Sequence, residues 1–299
     1  MTFNRQMDKN DNGVWELNNP QSNSLYFKIS KFRNNGLFDG MASFNYFSII
    51  LILKGNGELL ADINPFDFSD ETLISVSPYQ PFKINCPGNC TGYMVNFHPD
   101  FFCLHKHRNE VSCNGILFNN IYEPPLFTLT SAETQSLLHV VLGMTAEMQR
   151  PGIAEFEILL SYLKILLIDA SRMKVEKRQL AGVLANKEPV ILNDLKDAIE
   201  QNFHTLHSPS EYAQLLNIST PVLNRTAKSY FSKTLSQLIT DRIMLEAKRQ
   251  LYLTSKSVKL IAYELGFNDE FYFSRYFKSK INVSPQLFRD TVGVNRAEA

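Results

Sequence analysis

Apolar positions recur with two different periods along this chain. Over residues 25–98 they fall in short runs, FNYFSIILIL, ELLADI, TLISVS, FKIN and TGYMVNF, bounded by Gly, Pro, Asn and Asp. Runs of this length and spacing predict several short strands in a sandwich or small barrel. GNGELLADI at 55–63 predicts a hairpin, with Gly55-Asn56-Gly57 supplying positive φ. From about Pro99 the pattern changes, and residues 132–148 and 153–175 have helical character.

The second of these helices has two apolar stripes. Phe156, Leu159, Leu160, Leu163, Leu166 and Leu167 make one; Ile158, Tyr162, Ile165 and Ile168 make the other. A helix with one buried neighbour needs one stripe. The second stripe is explained either by burial within its own domain or by a homodimer seam formed by a self-complementary helix pair. Residues 174–188 (KVEKRQLAGVLANKE) are more polar and precede Pro189. They are expected to close a first domain, 1–175, with a linker over 176–188 and a second domain over 189–299. That second domain reads as helices at 190–203, 208–217, 220–231, 235–253, 257–265, 270–280 and 285–291.

The chain has 299 residues, enough for two domains on the usual range of roughly 100–200 residues each. Its formal net charge is zero, yet residues 1–218 hold 17 basic and 23 acidic side chains while residues 219–299 hold 13 and 7. A C-terminal excess of positive charge suggests a polyanionic partner. The start, MTFNRQMDKNDNG, lacks the apolar segment of a secretory signal, and no apolar stretch reaches the about 20 residues of a membrane span. A cytoplasmic protein without membrane contact is expected. Cys86, Cys90, Cys103 and Cys113 are then expected as thiols, and their spacing has no paired CxxC to bind zinc. His105-Lys106-His107 with Glu110 is read as a solvated basic turn rather than a metal motif, because two His at i, i+2 on a helix point apart. His98 reads as structural, and His139, His204 and His207 have no Ser or Cys partner at catalytic spacing. No catalytic residue, metal or cofactor is expected. Phe44, Tyr46 and Phe47 are candidates to wall a small-molecule pocket, or simply core.

The C-terminal part repeats itself. EYAQLLNISTPVLNRTAKSYFSKT matches LIAYELGFNDEFYFSRYFKSKINVS, aligning Ala213 with Ala262, Asn217 with Gly266, Leu223 with Phe273, Arg225 with Arg275 and Lys228 with Lys278. The offset is 49 before the turn and 50 after it, so the second turn is one residue longer. In each half a small Ala permits close helix crossing, and Gly266 or Asn217 can take the left-handed conformation that ends a helix. Thr220 and Asn268 or Asp269 are candidate caps, with Pro221 suited to the first turn. Core residues such as Phe273 and Phe277 turn inward, leaving Asn224, Arg225 and Lys228, and Glu270, Tyr272, Arg275 and Lys278, on the outer face. This is a helix-turn-helix twice, at about 208–231 and 257–280. The second helix of such a unit enters the major groove, where Arg reads guanine, Asn adenine and Glu cytosine. Ser219, Thr220, Lys228, Asn268 and Lys278 suit phosphates.

Over about residues 190–292 the sequence resembles the AraC/XylS family of bacterial transcription regulators. The resemblance rests on Ala247…Leu251, Ile261-Ala262, Gly266-Phe267, Tyr272-Phe273-Ser274-Arg275, Phe277-Lys278 and Ser284-Pro285…Phe288-Arg289. It implies an α+β protein: an N-terminal cupin-like β-barrel with dimerisation helices, then an all-α domain whose two helix-turn-helix units are spaced by the helix at about 235–253. Pro221, Asn224 and Arg225 would face bases from the first unit, and Glu270, Phe271, Tyr272 and Arg275 from the second. Arg242 resembles the family's backbone-contacting arginine. The sequence departs from the pattern where Asn282 and Ser232 replace glycine. The implied protein is a dimeric, effector-responsive activator that binds double-stranded DNA, takes a small-molecule effector and contacts RNA polymerase. Two alternatives are a regulator whose N-terminal domain serves only dimerisation or a protein partner, and a metal-dependent cupin enzyme with an accessory DNA-binding domain.

Overall fold

A computed structural model describes residues 4–7, 13–19, 24–33, 40–62, 64–104, 107, 111, 115–149, 153–184 and 190–292. The chain divides into two compact units, residues 1–120 with 125–177, and 121–124 with 178–299.

Among its described residues the first unit contains ten strands: β1 (Asn4–Met7), β2 (Val14–Asn18), β3 (Leu25–Arg33), β4 (Phe47–Lys54), β5 (Gly57–Ala61), β6 (Asn64–Phe68), β7 (Thr72–Val76), β8 (Phe82–Asn85), β9 (Thr91–Phe97) and β10 (Leu126–Thr128). All pair antiparallel, in one sheet ordered β1-β2-β3-β9-β4-β7-β10 and a second ordered β6-β5-β8. Strand alternation explains the apolar run FSIILILK of β4, which is covered on both faces. Phe47, Ile49 and Leu51 join Tyr93, Val95 and Phe97 in a core shared with two helices, α1 (Ser131–Met148) and α2 (Glu155–Leu184). Ile50 and Ile52 face the other way and join Leu59, Ala61, Phe82 and Ile84 of the smaller sheet. Thr130 starts α1 in a capping box with Glu133. The strand region therefore extends beyond 25–98 at both ends, through β1, β2 and β10.

The stretch 176–188, expected as a linker, is helical as far as Leu184; residues 185–189 lie outside the described residues. Its Glu, Lys, Arg, Gln, Leu and Ala are strong helix formers, and polarity alone did not end the helix. Of the basic turn, His105, Lys106 and Glu110 lie outside the described residues, and His107 stacks on Phe102 at 4.7 Å. His98 is buried in a turn where its Nδ1 accepts from the Asp100 amide at 3.2 Å.

The second unit contains seven helices among its described residues. These are α3 (Val190–Asn202), α4 (Pro209–Leu215), α5 (Thr220–Phe231), α6 (Leu235–Leu253), α7 (Val258–Glu264), α8 (Glu270–Ile281) and α9 (Pro285–Val292). Leu223, Ala227, Leu238, Ile239, Ile243, Ala247 and Leu251 are buried, as are Ile261, Ala262, Phe273 and Phe277. The rings of Phe267, Phe273, Phe277 and Phe288 pack in sequence, with neighbouring centroids 5.1, 6.0 and 5.8 Å apart.

Candidate nucleic-acid interface

The two repeats build the same turn. The Ile218 amide donates to the Ala213 carbonyl at 2.9 Å, and the Phe267 amide donates to the Ala262 carbonyl at 2.9 Å. Each bond closes a helix end around a left-handed residue, Asn217 at φ 53° and Gly266 at φ 79°. The extra residue of the second turn is Asn268. It sets Asp269 at the start of α8, where its carboxylate accepts the Tyr272 amide. The first turn has no such bond: Ser219 is the cap residue, its side chain makes no cap hydrogen bond, and Thr220 is already helical. Thr220 is therefore not the cap, because Pro221 takes an early helical position and draws the start of α5 one residue back. Both helices α5 and α8 end on left-handed residues without glycine, Ser232 at φ 55° and Asn282 at φ 65°. The replaced glycines leave the helix ends in the conformation that glycine would take.

On each of these second helices the same cations stand out. Arg225 and Lys228 on α5, and Arg275 and Lys278 on α8, are exposed. No acidic partner of these four is present among the described residues. Several other basic residues of this unit are engaged, Lys233 with Asp241 at 2.6 Å, Arg249 with Glu246 at 2.6 Å and Lys256 with Glu264 at 2.6 Å, whereas exposed Lys259 and Lys280 lie only over the Tyr263 and Tyr276 rings. Arg289 donates to the backbone oxygens of Leu251 and Lys256. Positive charge is thus left uncompensated on the two faces that the repeat aligns.

Apolar side chains flank those cations. Phe271 is 70% exposed, Tyr272 53% and Val222 48%. Val222 stands at the repeat position of Tyr272 and was missed by composition-based reading; the offset of 50 points to it. Exposed rings and methyls at a helix start match thymine methyl groups in the major groove. Tyr272 stacks on Tyr276 at 6.2 Å, and the Tyr276 hydroxyl lies 2.9 Å from that of Thr240 on α6. Glu270 is half-buried in the first turn of α8, while Pro221, Ser219 and Asn268 are exposed.

Two of the anticipated contacts are turned to structural partners. The Asn224 carbonyl oxygen accepts the Leu235 amide at 3.0 Å and so anchors the start of α6. Arg242 points into its own unit: its guanidinium lies 3.8 Å from the Phe203 ring centre, with Nε 2.8 Å from Glu200 and Nη1 3.7 Å from Glu246. Glu200 also accepts from the Tyr122 hydroxyl at 2.9 Å. Burial works to raise the Glu246 carboxyl, but the hydrogen bonds and charge of Arg249, with Gln250 and Arg242, hold it below the ordinary carboxylate range.

The first unit carries a polar row across its larger sheet. Glu16, Lys28, Asn96 and Ser48 are successive cross-strand partners on β2, β3, β9 and β4, so their side chains share one face. That face is the one toward the smaller sheet, since Met94 and Ile50, two residues along, belong to the core between the sheets. Lys28 pairs with Glu16 at 2.6 Å. Asn96 is 0% exposed and Ser48 1%, and among the described residues neither amide atom of Asn96 nor the Ser48 hydroxyl finds a hydrogen-bond partner. Buried polar atoms seldom stay unpaired. Phe44 stacks on Tyr46 at 4.8 Å and packs on the same inter-sheet core. Burial, with the charge of Glu16, pushes the Tyr46 phenol up to about 12. Phe47 is on the opposite face, packed on Phe97 and Phe118 in the helix-covered core. No group of three or more metal-ligating side chains is brought together among the described residues.

On α2, Ile158 and Ile165 are 37% and 45% exposed. Tyr162 and Ile168 are half-buried against their own core, and the Tyr162 ring lies where a side chain on Gly143 would stand. No helix among the described residues is long and apolar enough to cross a membrane.

Residues 212–291 match the family described as Helix-turn-helix domain. Over 91 residues the chain is 33% identical to the HTH-type transcriptional activator RhaS of Mannheimia succiniciproducens, covering 30% of this chain and 34% of that one. It is 23% identical over 249 residues to the uncharacterized HTH-type transcriptional regulator YfiF of Bacillus subtilis, covering 82% and 77%. Among solved structures, the C-terminal domain of AraT, a response regulator from Geobacillus stearothermophilus, is 26% identical, with 38% of this chain and 93% of that chain covered and a TM-score of 0.35. The chain spans about a third of the length of the first two curated relatives it matches, 34% and 35%.

Proposed function

We propose that residues 189–299 form a DNA-binding domain of the AraC/XylS type and that the whole chain is a sequence-specific DNA-binding transcription regulator; the helix-turn-helix match over residues 212–291 supports this. The observation that carries this reading is the repeated pair of uncompensated cations, Arg225 with Lys228 and Arg275 with Lys278, on the second helix of each unit. In this reading α5 and α8 enter successive major grooves of double-stranded DNA. Arg225 and Arg275 bond base edges, with Pro221, Val222, Glu270, Phe271 and Tyr272 beside them. Lys228 and Lys278, with Ser219, Thr220 and Asn268 at the turns, hold phosphates. Asn224 offers its amide NH2, while its oxygen already accepts the Leu235 amide. Arg242 reaches a phosphate only by leaving Glu200.

The N-terminal sheets form a cupin-like sensor whose effector meets the inter-sheet polar row. The unpaired Asn96 and Ser48 atoms favour this reading over a domain for dimerisation or protein contact alone. Dimerisation uses the α2 face around Ile158 and Ile165. Light scattering on the full chain tests it: Ile165→Glu should give monomers, and an unchanged dimer would place the seam elsewhere. Contact with RNA polymerase is the expected route to activation.

The test of function is selection of bound duplexes from a random DNA pool by the full chain. A recovered motif with two half-sites about one helical turn apart is expected. Retention of DNA with no enriched sequence would overturn sequence-specific reading.

A further inference from the structure

Tyr272 stands in the first turn of α8 and is 53% exposed. A free tyrosine at such a place would have to be ordered on binding, at a cost in rotamer freedom. Here the ring is already backed. It packs on Phe267 at 6.0 Å and stacks on Tyr276 at 6.2 Å, with the two tyrosine planes 18° apart. Tyr276 follows four residues later, so it stands on the same helix face one turn on. Tyr276 is half-buried and held from several sides. Its ring packs on Phe267 at 5.6 Å, and the Lys280 ammonium lies 5.6 Å from its centre. Its hydroxyl is hydrogen-bonded to that of Thr240 at 2.9 Å. Thr240 belongs to α6, whose start is bonded to Asn224 of α5. The first two turns of α6 thus tie down both α5 and α8.

The repeat treats this place differently in its two halves. At the offset of 50, Val222 stands for Tyr272 and Thr226 for Tyr276. Val is β-branched and stiff at χ1, so it needs no ring behind it. Resting on the reading that α8 enters the major groove, we propose that Tyr276 is a positioning residue for sequence recognition: fastened by Thr240, it holds the Tyr272 ring as a preorganised apolar reader of a thymine methyl group. Neither the Tyr276 nor the Thr240 hydroxyl contacts the base. Removing their bond leaves Tyr272, Arg275 and Lys278 in the chain but frees the stack to move. The loss then falls on the methyl that Tyr272 reads and not on the phosphates.

The experiment replaces each thymine of the selected duplex by uracil in turn, which removes only the C5 methyl, and measures binding of the full chain. Wild type should lose about fourfold in affinity at one thymine of the α8 half-site, the worth of one buried methyl-sized group. Tyr272→Ala should lose nothing further there. In Tyr276→Phe and in Thr240→Val the uracil penalty should shrink below about twofold, with the salt slope of wild type. Thr240→Ser, which keeps a hydroxyl, should behave as wild type. If Thr240→Val fails to fold, Tyr276→Phe decides alone. An undiminished uracil penalty in the hydroxyl variants, or weaker binding of every duplex alike, would overturn the proposal and leave base reading by α8 standing. So would the absence of any thymine whose methyl matters to wild type and not to Tyr272→Ala. Failure of wild type to enrich any sequence would defeat the reading on which the proposal rests, and the proposal with it.

Discussion

The two helix-turn-helix units present the same cations on differently secured scaffolds. In the second, Gly266 lies against the chain before α4: a Cβ there would stand 2.3 Å from the His204 carbonyl oxygen. Asp269 then caps α8 through its side chain. In the first, Asn217 occupies the left-handed position and Ser219 makes no side-chain cap bond. Asn224 instead ties α5 to the start of α6. The comparison teaches that one exposed pattern, Arg and Lys three residues apart, can be held by a locked turn or by a lateral bond to the next helix.

The largest test of that contrast is Gly266→Ala against Asn217→Ala, measured by urea unfolding. At Gly266 the new Cβ meets backbone and also takes a left-handed φ, so a loss of roughly 2–4 kcal/mol is expected. At Asn217 only the left-handed preference is lost, and the cost should be about 1 kcal/mol. Equal losses would mean that the turns are equally constrained. Next come the arginines. Arg275→Ala should cost about 1–3 kcal/mol of affinity and relax base preference at one position. Lys278→Ala should weaken all sequences alike and lower the salt slope by about 1. If Arg225→Ala behaves like the lysine variant, the first unit is a clamp and the second the reader.

A smaller effect separates the caps. Asp269→Ala should remove about 1 kcal/mol from stability, while Ser219→Ala should stay within about 0.5 kcal/mol. The smallest is pH-dependent. The hydrogen bonds from Ser208, side chain first and then backbone, hold the Glu211 carboxyl below its ordinary value of 4.5. Its folded value is depressed, so its contribution is full above 4.5 and is lost as the pH falls through the lower folded value. The matching cap of α7 is Ser257, which does not titrate. Acidification below 4.5 should thus raise amide exchange at the start of α4 before that of α7. In Glu211→Gln the difference should vanish.

Much of this was legible in the chain. The repeat of 213–228 in 262–278 fixed both turns, the buried aromatics and the four exposed cations, because helix periodicity ties sequence spacing to a face. What was not legible depends on partners distant in sequence. Arg242 has a phosphate-binder's chemistry, but only the fold brings Glu200 and Phe203 to it. Asn224 has an adenine reader's side chain, yet Leu235 takes its oxygen. The helix running into the stretch expected as a linker was not legible for a local reason, since residues 176–184 are polar and still good helix formers. The row Glu16, Lys28, Asn96 and Ser48 is invisible in sequence, because register across four strands assembles it.

The measurement that bears most directly on the account is guanine methylation interference on the selected duplex, with the full chain bound. Two groups of guanines whose N7 methylation blocks binding, on one face of the DNA and separated by about one helical turn of 10–10.5 base pairs, are predicted. Arg275→Ala should erase one group and Arg225→Ala the other. A single group lost with Arg275 alone, or binding that no guanine methylation disturbs, would contradict the claim that both units read bases.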